Sequence, residues 1–254
     1  MTAPRIATNA GIAPAGDSVE DRSVVTARQA LTAGDRAEML GLLSAHFDGV
    51  TPAQFARDLD EKDWVLRIRR DGRLVGFTTV QLWQAVVDGE VVHVLYSGDT
   101  IMSPEAWGSP ILSRAWIGMV RELQRQAPAS RWYWLLLTSG YRTYRFLPVF
   151  WREFWPRHDA ATPAAVQRVV DQLAEARFGS RYDRHAGVVR LTAPQRLRGA
   201  LAAVDDGRRA DAHVAYFLAA NPGHADGDEL VCLTELSDAN LTAAGVRMLR
   251  RPAP

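Results

Sequence analysis

Two Asp-Gly pairs, Asp71-Gly72 and Asp88-Gly89, constrain this chain more than any other feature. Each sits between runs rich in Val, Leu, Ile, Phe, Trp and Thr, within "WVLRIRRDGRLVGFTTVQLWQAVVDGEVVHVLYSGDTI". Asp-Gly supplies the left-handed backbone that a two-residue hairpin turn demands, so both pairs predict tight antiparallel connections. Three strands follow, at about 64–70, 73–86 and 90–102. On the third, alternation places His93, Leu95, Ser97, Asp99 and Ile101 on one face, and Val94, Tyr96, Gly98 and Thr100 on the other.

The flanking segments change period. A first strand is expected at 23–30. Met39, Leu40, Leu42, Leu43 and Phe47 then recur at helical spacing, with Asp35 as the expected cap. Thr51 and Pro52 read as the cap and first turn of another helix. After the meander comes the turn 103–110, then a helix over about 110–125 with an apolar stripe from Ile111 to Leu123. "RWYWLLLTS" (131–139) is almost wholly apolar and predicts a strand covered on both faces. "GYRTYRFLPVFWREFWP" predicts a helix disturbed at Pro148 and stopped before Pro156. Beyond 157 the sequence predicts a helix in "TPAAVQRVVDQLAEARFG", a short strand in "GVVRLTA" and a helix in "PQRLRGALAAV". It then predicts two strands around a glycine-rich loop in "AHVAYFLAANPGHADGDELVCLTEL", and a final helix. The divisions expected are a loose tail at 1–21, a main domain at 22–157 and an α/β extension at 158–254 packing on it.

Composition narrows the function class. A net charge of +1 over 254 residues gives no field for nucleic acid or an anionic membrane. The basic residues are almost all arginine, with Lys62 the single lysine. One cysteine, Cys232, excludes an internal disulfide. The N-terminus lacks the apolar core of a signal peptide, and no run reaches the length of a membrane span. A cytoplasmic protein is the expectation.

The order strand, helix, helix, three antiparallel strands, helix, strand, helix over 23–155 resembles the GNAT acyltransferase superfamily. That family carries a turn of the type Pro-x-x-Arg-Gly-x-Gly-x-Gly after its fourth strand. The matching stretch is Pro104-Glu105-Ala106-Trp107-Gly108-Ser109-Pro110-Ile111-Leu112. Pro104 and Gly108 fit. Trp107 replaces Arg or Gln, and Pro110 and Leu112 replace glycines, so one N–H donor is missing and one position is crowded. The resemblance implies a divergent α/β member: a mixed, mostly antiparallel central sheet flanked by helices. It implies acetyl-CoA or another acyl-CoA as donor. The donor would be held by Ile101, Met102, Ser103, Trp107, Gly108, Ser109 and Ile111, with Arg142 on its phosphates. It also implies Asp99 as base or amine anchor, and Tyr144, or else Tyr141, as acid to the leaving thiolate. The acceptor would be an amine of a small molecule or peptide, with Ser97, His93 and His224 on the substrate side. An acyl carrier protein as donor, a second copy of the chain as partner, and a binding protein without acyl chemistry are the other readings.

Other features admit two readings each. The aromatic run Phe146, Phe150, Trp151, Phe154 and Trp155 either lines a pocket or forms core. In "NPGHADGDELVCL", His224, Asp226, Asp228 and Glu229 suit a solvated turn or a loop over the cleft; their spacing matches no metal loop, and no metal is expected. Cys232 reads as a small buried residue, with a Cys232–His224 nucleophilic pair as the alternative.

Overall fold

The computed structural model describes residues 21–250. The chain opens with β1 (Asp21–Ala27), α1 (Ala33–His46), β2 (Phe47–Asp48) and α2 (Pro52–Asp60). The meander β3 (Trp64–Arg70), β4 (Arg73–Val87) and β5 (Glu90–Met102) follows, then α3 (Ile111–Gln124) and β6 (Trp132–Thr138). Two short helices, α4 (Tyr141–Tyr144) and α5 (Phe146–Phe150), lead to α6 (Ala164–Phe178). The remainder is β7 (Tyr182–Asp183), β8 (Val188–Val189), β9 (Arg196–Leu197), α7 (Asp206–Arg209), α8 (Ala212–Ala220), β10 (Glu229–Glu235) and α9 (Ala243–Arg250).

The hairpins form as their turns require. Asp71 and Asp88 have φ of 50° and 49°, followed by Gly72 at 78° and Gly89 at 83°. Two successive left-handed residues match the twist of the strands they join. One eight-stranded sheet results, in the order β1-β3-β4-β5-β6-β10-β8-β7. All its described pairings are antiparallel except β5 with β6, which run parallel across the α3 crossover. Every residue of β6 is buried, because the strand is central and covered on both faces. On one face α3, α8 and the aromatic segment at 150–154 pack against Leu66, Ile68 and Leu95. On the other, α1 and α2 cover Val65, Phe77 and Ile101, and α6 covers Val92, Val94 and Tyr96.

Several local expectations change. The expected tail 1–21 lies outside the described residues except for Asp21, which opens β1. Asp35 is not the cap of α1. Thr32 is, and Asp35 sits three residues in, returning a bond to the Thr32 backbone. "AHVAYFLAA" is helix α8 rather than strand: Asp211 caps it, and Val214 and Phe217, three apart, face the core. "PQRLRGALAAV" is not a helix; it forms the two-residue β9 and a 3-10 turn at 199–201. Residues from 158 onward, expected to pack on the core, supply three strands of the same sheet, with β10 bonded directly to β6. Phe150, Trp151 and Phe154 belong to the core, while Phe146 is only partly buried.

The third meander strand departs from simple alternation. Thr78 pairs with Thr100 and Val80 with Ser97, so Thr79 alone faces both Gly98 and Asp99. This bulge inserts one residue into β5 and reverses its alternation beyond that point. Ser97 faces the α3 side, where its hydroxyl accepts bonds from the indoles of Trp116 (3.2 Å) and Trp134 (3.0 Å). Asp99 and Ile101, expected beside Ser97, lie instead on the α1–α2–α6 side. Replacing Ser97 by Ala strands two buried N–H donors, each worth about 1–3 kcal/mol when unpaired. Urea unfolding of S97A is expected to show a loss of about 2–4 kcal/mol.

Candidate functional site

The parallel ladder between β5 and β6 runs from His93–Trp132 to Ser97–Leu136 and stops there. Beyond it β5 continues to Met102 along β4, while β6 continues to Thr138 along β10. The two strands part, and a cleft opens in the gap. It has two chambers that share Phe47, Thr100, Ser139 and Thr143 in their walls.

The first chamber, about 340 Å³, is polar. Asp58, Glu61, Lys62, Asp99 and Glu229 line it, together with Tyr96, Arg57, Arg177 and Arg181. These come from α2 and its end, the bulge of β5, the end of α6 and the start of β10. Burial raises the Asp99 carboxyl above its ordinary range, with Lys62 opposing the rise. Burial, reinforced by the Asp99 charge, pushes Glu229 up to about 8. Burial lowers the Lys62 ammonium, and Asp99 resists that. Each is the expected response of a charged group moved out of water beside charged neighbours.

The second chamber, about 240 Å³, is mainly apolar. Ile101, Met102, Ala106, Leu112, Tyr141, Phe146 and Leu197 contribute to it, with Trp107, Gly108, Ser109 and Arg142 at the turn before α3. The Arg142 guanidinium stacks on Trp107 (4.3 Å) and Tyr141 (4.7 Å) and donates to the Leu201 carbonyl at 2.9 Å. Residues 191–202 roof both chambers. They are tied down by the β2–β9 pairing, by Gln54 to the Ala193 carbonyl (3.1 Å) and by the Arg198 N–H to the His46 carbonyl (2.9 Å). Gly49 permits that approach. It has φ of 83°, and a Cβ there would lie 2.6 Å from the Pro194 carbonyl oxygen.

The turn before α3 is partly self-satisfied. Trp107 N–H bonds the Pro104 carbonyl, Ser109 N–H the Ala106 carbonyl, and Ile111 N–H the Ser109 hydroxyl. That hydroxyl donates in turn to Asp21, which is paired with Arg70. Three expected anion donors are therefore engaged. The first bond of α3 runs from Arg114 to the Pro110 carbonyl, so the Leu112 and Ser113 N–H groups have no acceptor within the helix.

Other candidates scatter. Tyr144 is fully buried and donates its hydroxyl to the Pro156 carbonyl at 2.9 Å, outside both chambers. Tyr141, by contrast, lines the apolar chamber. His93 stacks on Trp132 at 4.3 Å, also away from the cleft. Ser97 borders the polar chamber, but its hydroxyl is held by two indoles on the α3 side. Ser103 and Ile111 are buried beside the apolar chamber rather than in its wall. His224 reaches that wall while packing on Phe217. Cys232 is fully buried, and burial pushes its thiol up to about 12, which removes it as a nucleophile. Among the described residues no three His, Cys, Asp or Glu side chains are grouped to hold a metal, and no helix is long and apolar enough to cross a membrane. Asp58 and Lys62 were not candidates in the sequence, and Glu229 was read there only as part of a solvated turn or a loop over the cleft. For Lys62, its being the single lysine was the available signal.

No family model matches the chain, and no curated protein matches it. Solved structures do. A conserved Enterococcus faecalis V583 protein of unknown function, a probable N-acyltransferase, is 16% identical with a TM-score of 0.41 over 62% of this chain. The match spans 44% of that protein, less than half its length. A ribosomal-protein-alanine N-acetyltransferase from Brucella melitensis biovar Abortus 2308 is 17% identical, with a TM-score of 0.39 over 51% of this chain and 89% of its own. A GNAT family N-acetyltransferase from Escherichia coli in complex with CoA is 16% identical, with a TM-score of 0.34 over 50% of this chain and 67% of its own.

Between about pH 4.5 and 8 the folded chain keeps a proton on Glu229 that the unfolded chain has released. This group therefore makes stability fall as pH rises through that window. Thermal melts across pH 5–9 are expected to show a shallower alkaline decline for E229Q than for the natural chain. In the order and pairing of its strands, the chain has a mixed α/β fold, an eight-stranded and mostly antiparallel sheet flanked by helices.

Proposed function

We propose that this protein transfers an acyl group from a thioester, with an acyl-coenzyme A as donor, to an amine bound in the polar chamber. The observation that carries this reading is the two-chambered cleft where β5 leaves β6, with carboxyls in one chamber and apolar walls in the other. A thioester carbonyl at the shared wall of Thr100, Ser139 and Thr143 would meet an amine arriving from the carboxyl side.

The chain's residues divide the work. Asp99 anchors the incoming ammonium. Glu229, ionised as pH rises toward about 8, takes its proton and leaves a neutral nucleophile. Attack forms the C–N bond, and collapse of the adduct breaks the C–S bond; Tyr141 in the apolar chamber protonates the departing thiolate and is restored by the second proton that the nitrogen gives up as the amide forms. The unladdered edge of β5 beyond Ser97 offers backbone groups to a pantetheine arm. The first-turn N–H groups of α3 and the Arg142 guanidinium suit its phosphates.

One observation favours a second donor. Asp21, itself paired with Arg70, accepts from the Ser109 hydroxyl at 3.1 Å, so that hydroxyl and the N–H groups of Trp107, Ser109 and Ile111 are already engaged at the turn. That suits a single phosphate, as on a carrier-linked phosphopantetheine, better than a pyrophosphate. Calorimetry with acetyl-CoA, longer acyl-CoAs and free phosphopantetheine separates the two readings; binding of none of them would remove both.

With a productive donor and amine, D99N is expected to lower kcat/KM by about 10²–10³ while leaving donor affinity unchanged. Y141F should lower kcat, whereas Y144F should keep turnover and lose only about 1 kcal/mol of stability with its bond to Pro156. Steady-state kinetics on the three variants decides these roles.

A further inference from the structure

Of the thirty lysines and arginines in this chain, only Lys62 is a lysine, and it is 5% exposed on the floor of the polar chamber. The space it fills suits a lysine alone. A Cβ on Gly98 would lie 2.7 Å from Lys62 Cε and 2.7 Å from Thr79 Oγ1, so the lysine stem fills the hollow beneath the β5 bulge. A planar guanidinium is larger and has no room there. Lys62 Nζ donates to the Asp58 carbonyl at 2.8 Å, in the last turn of α2, where the helix dipole favours a cation. The Tyr96 ring lies 5.4 Å away.

Charged and titratable groups face this ammonium from every side. Arg57, Asp58 and Glu61 come from α2 and its end, Tyr96 and Asp99 from β5, Arg177 and Arg181 from the end of α6 and the turn after it, and Glu229 from β10. Arg177 is already paired with Glu61, and Lys62, Arg57 and Arg177 together oppose the rise that burial imposes on Asp58. Lys62 is the cation set directly beneath the bulge that presents Asp99.

We propose that Lys62 is a positioning residue of the acyl-transfer site: it is the fixed counter-charge that favours the ionised form of Asp99 beneath the bulge and so makes Glu229 the carboxyl that exchanges the transferred proton. The inference rests on the acyl-transfer reading for its catalytic meaning, but the charge coupling itself does not. With Asp99 charged, a second negative charge in the same chamber is unfavourable, and Glu229 holds its proton until near pH 8.

The single lysine makes the test direct. Lysine labelled with carbon-13 at Cε gives one methylene signal from the full-length protein, and its shift follows Lys62 protonation. In D99N its titration midpoint is expected to fall by about one pH unit, since the ammonium loses its counter-charge. A midpoint unchanged in both D99N and E229Q would overturn the proposal. In kinetics, K62M is expected to move the acidic limb of kcat/KM up by about one pH unit with donor KM unchanged. A K62M profile that overlays the natural one also overturns it. Should K62M fail to fold, the NMR titrations decide. A protein that transfers no acyl group yet shows the Lys62 shift in D99N would refute the function and leave the coupling standing.

Discussion

The parting of two parallel strands governs this molecule. A sheet is held by continuous ladders, and interrupting one leaves backbone donors and acceptors exposed. Here β5 and β6 share five paired positions and then diverge, each kept in the sheet by its other neighbour. The bulge at Gly98–Asp99 lies at the point of departure. It bends β5 away and turns Asp99 to the opposite face from Ser97. The opening, its chemistry and its unpaired edge all derive from one extra residue in one strand. Ser97, clamped between two tryptophan indoles, fixes the last pair before the gap.

Charge inside that opening is managed by its surroundings rather than by water. Asp58, Asp99 and Glu229 are all raised by burial, and Lys62 moderates each of them. Such an arrangement costs stability and is kept where proton transfer near neutral pH is useful. The neighbouring chamber is built on the opposite principle. Ile101, Met102, Leu112 and Phe146 make its walls apolar, with polar contacts gathered at its mouth around Arg142, Trp107 and the Leu201 carbonyl.

The segment 191–202 gives this version of the fold its own character. It leaves the far edge of the sheet, crosses the gap and pairs with the two residues that follow α1. The cleft becomes a roofed passage whose roof is fastened by a few hydrogen bonds and the exposed Arg198–Asp48 ion pair at 2.7 Å. Fastenings of that number and exposure make local opening inexpensive relative to global unfolding.

The sequence by itself determined the meander, because Asp-Gly turns and alternating apolar residues are local signals with local causes. It determined α1, α2, α3, α6 and the doubly covered β6 for the same reason, through caps, stripes and an unbroken apolar run. It also pointed to Asp99, as an acid at the end of a buried strand. Where local propensity was ambiguous, as in "AHVAYFLAA" and "PQRLRGALAAV", tertiary packing decided: α8 is helical because Val214 and Phe217 meet the core, and β9 is extended because it bonds to β2. The face on which Asp99 lies, the removal of Tyr144 from the cleft, and the meeting of Lys62, Asp99 and Glu229 across residues 62 to 229 also belong to tertiary structure. A bulge is defined by two strands, and a raised carboxyl by neighbours far away in sequence. Neither can be read from the segment that carries it.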